Sequence, residues 1–128
     1  MIYKVETCED INLVTEQLEE KAKDVGFSIL NIYEFKRMLH DKGYPIKKEI
    51  TVFELCNPQG AQQALEHIAE ISAYLPSRIS VYEENGVTIL VSIGLEEIIN
   101  AVDVNEEFKS YMSILFINLK HVMHSWDK

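Results

Sequence analysis

The chain has 128 residues, 47% hydrophobic and 26% charged, a balance that fits one globular domain over residues 1–128 whose core needs neither disulfide nor metal. Its net charge is -9 and its only arginines are Arg37 and Arg78, so it lacks the basic footprint that displaces counterions from phosphates, and no nucleic-acid partner is expected. No apolar run reaches bilayer length and MIYKVET does not read as an export signal, so the expected setting is cytoplasmic, with no membrane partner and with Cys8 and Cys56 as reduced thiols.

Ile2, Tyr3 and Val5 suggest a first strand, and Thr7-Cys8-Glu9-Asp10 reads as a capping box opening a helix over about 8–25. The apolar residues Ile11, Val14, Leu18, Ala22 and Val25 of that helix recur at three and four, and Gly26 suits the left-handed position past its end. FSILNIY (27–33) reads as a second strand and residues 34–42 as a short helix stopped by Gly43. The third strand, about 49–56, sets Ile50, Val52, Glu54 and Cys56 on one face and Thr51, Phe53 and Leu55 on the other. Apolar residues on both faces predict an interior strand covered on both sides, or covered by a partner.

Asn57 is placed to cap the next helix, with Pro58 at its first position, where the missing N–H costs nothing. Residues 58–73 form that helix, with Ala61, Ala64, Leu65, Ile68 and Ile71 on the buried side. Strands at 77–83 and 87–92 flank Glu84-Asn85-Gly86, a strong hairpin signal because Asn and Gly both tolerate positive φ. A short helix near 95–100 follows Gly94, and Asn105 caps a long helix over about 106–126. The order βαβαβαββαα, with its alternation broken at the hairpin, predicts an α+β fold: a mixed or antiparallel sheet with helices packed on it and a long C-terminal helix.

The candidate site is the corner where the third strand meets its helix. Cys56 lies at a helix start, where the dipole favours a thiolate; the plain alternative is a small buried hydrophobe. Glu54 is either a general base in an apolar pocket or one half of an ion pair with Arg78 or a lysine. Asn57, Ser77 and Arg78 complete the ligand-binding candidates, since a hydroxyl and a guanidinium beside a helix N-terminus suit an anion; the alternative for Ser77 and Arg78 is an exposed strand start. His121 and His124 share a helix face at i, i+3, but with no Glu between them they read as a solvated face, and no metal site is expected. There is no phosphate loop, dinucleotide fingerprint or nucleophile elbow, so no cofactor is expected and no catalytic residue is assigned.

Cys56-Asn57-Pro58, Lys42-Gly43 after a short helix, Leu75-Pro76 and the strand Val81-Tyr82-Glu83 together resemble the pattern of the bacterial and archaeal family called domain of unknown function 302, over roughly residues 1–93. The resemblance implies a compact α+β fold similar to a single copy of the TATA-binding-protein-like half, a homodimer, and no established activity; the fold label carries no DNA binding with it. Where the pattern commonly has Cys after Leu-Pro, this chain has Ser77, so a two-thiol role lacks its second sulfur.

On the wheel of the last helix, Phe108, Tyr111, Met112, Leu115, Leu119, Val122 and Trp126 form one stripe, widened by Phe116 and Met123, while Ile114 and Ile117 fall on the opposite side. These two isoleucines are the candidate dimer interface. The expected function is a homodimeric domain binding a small, anionic ligand at the Cys56-Asn57-Pro58 corner. The alternatives are a thiol-dependent enzyme or redox or sulfur carrier using Cys56, and a structural assembly module.

Overall fold

The computed structural model describes residues 2–101 and 105–128. Its elements run β1 (Ile2–Thr7), α1 (Ile11–Lys23), β2 (Ser28–Glu34), α2 (Phe35–Asp41), β3 (Thr51–Cys56), α3 (Pro58–His67), a 3-10 turn (Ala69–Tyr74), β4 (Ser77–Glu84), β5 (Val87–Ile93), α4 (Leu95–Ala101) and α5 (Glu106–Met123). The strands form one sheet in the order β1-β5-β4-β3-β2. Every neighbouring pair is antiparallel, so of the two sheet types expected the antiparallel one is formed. The β4–β5 connection is the expected hairpin, with Asn85 at φ 53° and Gly86 at φ 78°, the twist a two-residue turn needs to match its strands. No helix among the described residues is long and apolar enough to cross a membrane.

Alternation along the strands decides where the core lies. Val5, Phe53, Leu55, Ile79, Val81 and Leu90 point to one face of the sheet, where they meet Val14, Leu18 and Ala22 of α1 and Leu119, Val122 and Met123 of α5. Burying one such aliphatic side chain contributes about 1.5–3 kcal/mol. Trp126 closes this core at the end of the chain, its indole N–H donating to Gln17 Oε1 at 2.9 Å. A second, smaller cluster gathers Ala64, Ile71, Phe108 and Met112, with Ile68, Leu75, Ile98 and Leu115 packed against it. The N-terminal half of α5 thus serves the second cluster and its C-terminal half the first.

Two helix boundaries differ from expectation. Helix α1 starts at Ile11, not near residue 8: Thr7 is still paired in β1 with Thr88, and the Asp10 side chain caps the helix by accepting from Asn12 N at 2.7 Å. Its far end is as expected, with Gly26 at φ 87°. The helix expected over 58–73 breaks at Ile68, whose backbone is extended (φ -152°, ψ 115°), and resumes as the 3-10 turn. The break lets both segments face α5. Ala64 and Ile71 are fully packed, whereas Leu65, assigned to the same stripe, is 43% exposed. His67 is exposed and stacks one ring face on Phe108, with centroids 4.4 Å apart.

Candidate ligand-binding site

Asn57 acts as the cap foreseen: its Oδ1 accepts from Gly60 N at 2.8 Å, and Pro58 occupies the first turn of α3. Gly60 lets α3 approach α5 closely. A Cβ there would lie 2.9 Å from both methyls of Leu115 and 3.2 Å from the Tyr111 hydroxyl. Between this corner, the 3-10 turn, α5 and the ends of β4 and β5 lies a cavity of about 320 Å³, at the lower end of the size range of small-molecule sites. Its wall is predominantly apolar, including Phe27, Ala61, Leu65, Ile71, Leu75, Ile98, Met112, Leu115 and Phe116. Cys56, Asn57, Ser77 and Arg78 all line it. Four of the five candidate residues named from the sequence are therefore brought to one cavity.

Glu54, the fifth, is not among the lining residues. It lies on the sheet face opposite the main core, is 6% exposed, and accepts three contacts from side chains of its neighbouring strands. Tyr33 OH donates to Oε1 at 2.7 Å, Asn31 Nδ2 donates to Oε1 at 3.3 Å, and Arg78 Nη2 lies 3.1 Å from Oε2. The Tyr33 hydrogen bond, helped by Asn31 and Arg78, holds the Glu54 carboxyl below its ordinary value, while burial works against this. The same bond raises the Tyr33 phenol. Of the two readings open for Glu54, the surroundings match the ion pair with Arg78 and not a base raised by an apolar pocket, because they are donors rather than hydrocarbon. No buried side-chain polar atom among the described residues lacks a partner.

Tyr33 and Asn31 escape the sequence reading because their placement depends on a register shift. Ser28 and Ile29 pair with Cys56 and Leu55, but Glu54 then faces Asn31, leaving Leu30 as the extra residue. An unbroken register would set Leu30 against the carboxylate. With the shift, Asn31 and Tyr33 share the face of Glu54, and Leu30 turns to the cavity wall.

The other candidates lie elsewhere. Cys8 is exposed, and His121 is exposed on α5. His124 is engaged on both ring nitrogens, Nε2 with Tyr3 OH at 2.6 Å and Nδ1 with Asp127 Oδ2 at 2.7 Å. No group of three His, Cys, Asp or Glu side chains among the described residues is arranged to hold a metal ion. Ile114 and Ile117 are each 58% exposed on the outer side of α5.

A five-stranded antiparallel sheet backed by α1 and α5, with a cavity at its strand-to-helix corner, defines an α+β domain of known type. The chain belongs to the family described as domain of unknown function DUF302, whose model matches residues 3–125. Among solved structures it is similar to an uncharacterized conserved DUF302 protein from Bacillus stearothermophilus, with a TM-score of 0.85, 26% identity and 94% of each chain covered. No curated protein matches the chain.

Proposed function

We propose that this chain is a binding domain for a small, largely apolar molecule, held in the cavity beside the Cys56-Asn57-Pro58 corner. The observation that carries the reading is the cavity itself: about 320 Å³ walled mostly by hydrocarbon, with Cys56, Asn57, Ser77 and Arg78 gathered on its wall. A concave apolar wall with a few convergent polar groups is the usual form of a small-molecule site. The thiol-enzyme alternative has less support. Cys56 lines the cavity, but no His, Asp or Glu among the described residues lines it with the thiol to serve as a base. We also propose that the domain acts as a homodimer in the cytoplasm; the two exposed isoleucines of α5, Ile114 and Ile117, support an interface there.

The test uses the neutral fluorescent probe N-phenyl-1-naphthylamine. Saturable fluorescence enhancement is expected with the parent protein. Ala61→Trp, at a half-buried lining position, should weaken it by about tenfold or more while leaving the circular dichroism spectrum intact. Absence of saturable enhancement in the parent, or enhancement indifferent to Ala61→Trp in a folded variant, overturns the reading.

A further inference from the structure

We propose that the cavity takes an uncharged molecule and turns away anionic and cationic analogues of the same hydrocarbon; this rests on the binding reading above and narrows it. The makeup of the wall is the first argument. The chain carries 21 acidic residues and 12 basic ones. Yet no Asp, Glu, Lys or His among the described residues lines the cavity, and Arg78 is the one charged residue that does.

The second argument is where the charge of Arg78 goes. Ile79 points to the helix-covered face of the sheet, so its neighbour Arg78 sends its side chain to the opposite face. There it meets Glu54, its partner across the β3–β4 ladder, with Nη2 3.1 Å from Oε2. Asn31 and Tyr33 donate to the same carboxylate. The ion pair is thus closed on the far side of the sheet from α5, and its guanidinium offers the cavity no counter-charge. Neutral polar groups on the wall are engaged by the fold itself. Asn57 Oδ1 accepts from Gly60 N at 2.8 Å, and Ser92 Oγ donates to the Arg78 carbonyl at 2.6 Å. The outer margin is hydrocarbon as well, since the lining residues Leu30, Leu65 and Ile93 are 52%, 43% and 39% exposed.

An ion entering such a space sheds water and gains no partner of opposite charge, whereas a hydroxyl loses far less. The hydrocarbon part gains the same in either case. The net charge of -9 adds a long-range field that repels anions and attracts cations. Salt screens that field over about 8 Å at physiological ionic strength, so it does not stand in for a contact partner inside the cavity. Both signs of charge are therefore excluded, the anion more strongly than the cation.

Competition against bound N-phenyl-1-naphthylamine separates this inference from the reading beneath it. The compounds 1-hexanol, hexanoate and hexylammonium share a chain, short enough to keep the head close to the wall, and differ in charge. At neutral pH and physiological ionic strength, hexanol should displace the probe about tenfold more effectively than either ion. Hexanoate as effective as hexanol, or more so, overturns the uncharged assignment and gives the cavity an anion partner, while the cavity reading stands. Hexylammonium as effective as hexanol also overturns it, because the acidic field of the chain then outweighs the loss of water. If none of the three displaces the probe, the cavity reading fails and takes this one with it.

Discussion

The two faces that α5 presents to the molecule are packed to different standards. Its C-terminal half meets a core in which Val14, Leu18, Ala22, Leu55, Ile79, Val81, Leu90, Val122 and Met123 are fully excluded from solvent. Its N-terminal half brings Phe108 and Met112 to a smaller cluster whose other buried members are only Ala64 and Ile71, and beside them lies the cavity. One helix thus joins a filled region, where shape is spent on stability, to an unfilled one. Interiors are close-packed because lost contacts are costly, so an apolar space of about 320 Å³ beside an otherwise satisfied fold invites a functional explanation.

The sharpest way to break that comparison is to truncate a leucine on each side. Leu18→Ala removes a fully buried side chain from the filled core and should cost about 2–5 kcal/mol. Leu115→Ala faces the cavity from a half-buried position, and its loss should be smaller because much of its surroundings is already empty. Urea denaturation of both variants decides it. Equal losses would mean that the cavity side is packed as tightly as the core, and the contrast would fail.

A smaller effect is expected at Glu54, and it depends on pH. The folded-state pKa of this carboxyl lies below its ordinary value of 4.5. A depressed carboxylate contributes stability that is present above the unfolded value and lost as pH falls through the folded one. Parent and Glu54→Gln should therefore differ in urea midpoint at neutral pH, the parent being higher, and converge as the pH falls below 4.5 and through the folded value. A constant gap across that window would show that the Tyr33 and Arg78 contacts do not act on the ionised form.

What the sequence made legible follows the range of the interactions involved. Local rules placed the Asn57 cap, the Asn85-Gly86 hairpin, the Gly26 stop and the alternation that sends Phe53 and Leu55 inward, since each is decided within a few residues. The convergence of Cys56, Asn57, Ser77 and Arg78 was also within reach, because a strand-to-helix corner and the start of the adjoining strand lie together in an α+β sheet. Out of reach were the break at Ile68, which depends on α5 packing against both pieces, and the partnership of Asn31 and Tyr33 with Glu54. The latter turns on a single extra residue in β2, and a one-residue shift reassigns every side chain beyond it to the other face. The cavity roof, from Ile71, Ile98 and Met112, comes from segments far apart in the chain, and no spacing rule relates them.

The smallest effect on the fold, and the most informative on assembly, is expected at the outer side of α5. Ile114 and Ile117 are each 58% exposed, one helical turn apart, on the helix whose inner side carries Met112, Leu115 and Leu119 to the cavity and core. Exposed isoleucines singly are ordinary, but two neighbours on one helix face lose water contact together if a second copy covers them. In an isologous pair the same residues meet across the two-fold axis, so replacing them with glutamates sets like charges against each other in the interface. Ile114→Glu with Ile117→Glu should leave the unfolding free energy of the single chain within about 0.5 kcal/mol of the parent chain's, since neither side chain belongs to the core. Sedimentation velocity at micromolar concentration should show a dimer for the parent and a monomer for the double variant. A monomeric parent removes the dimer, and a dimer that survives both glutamates moves its interface off α5.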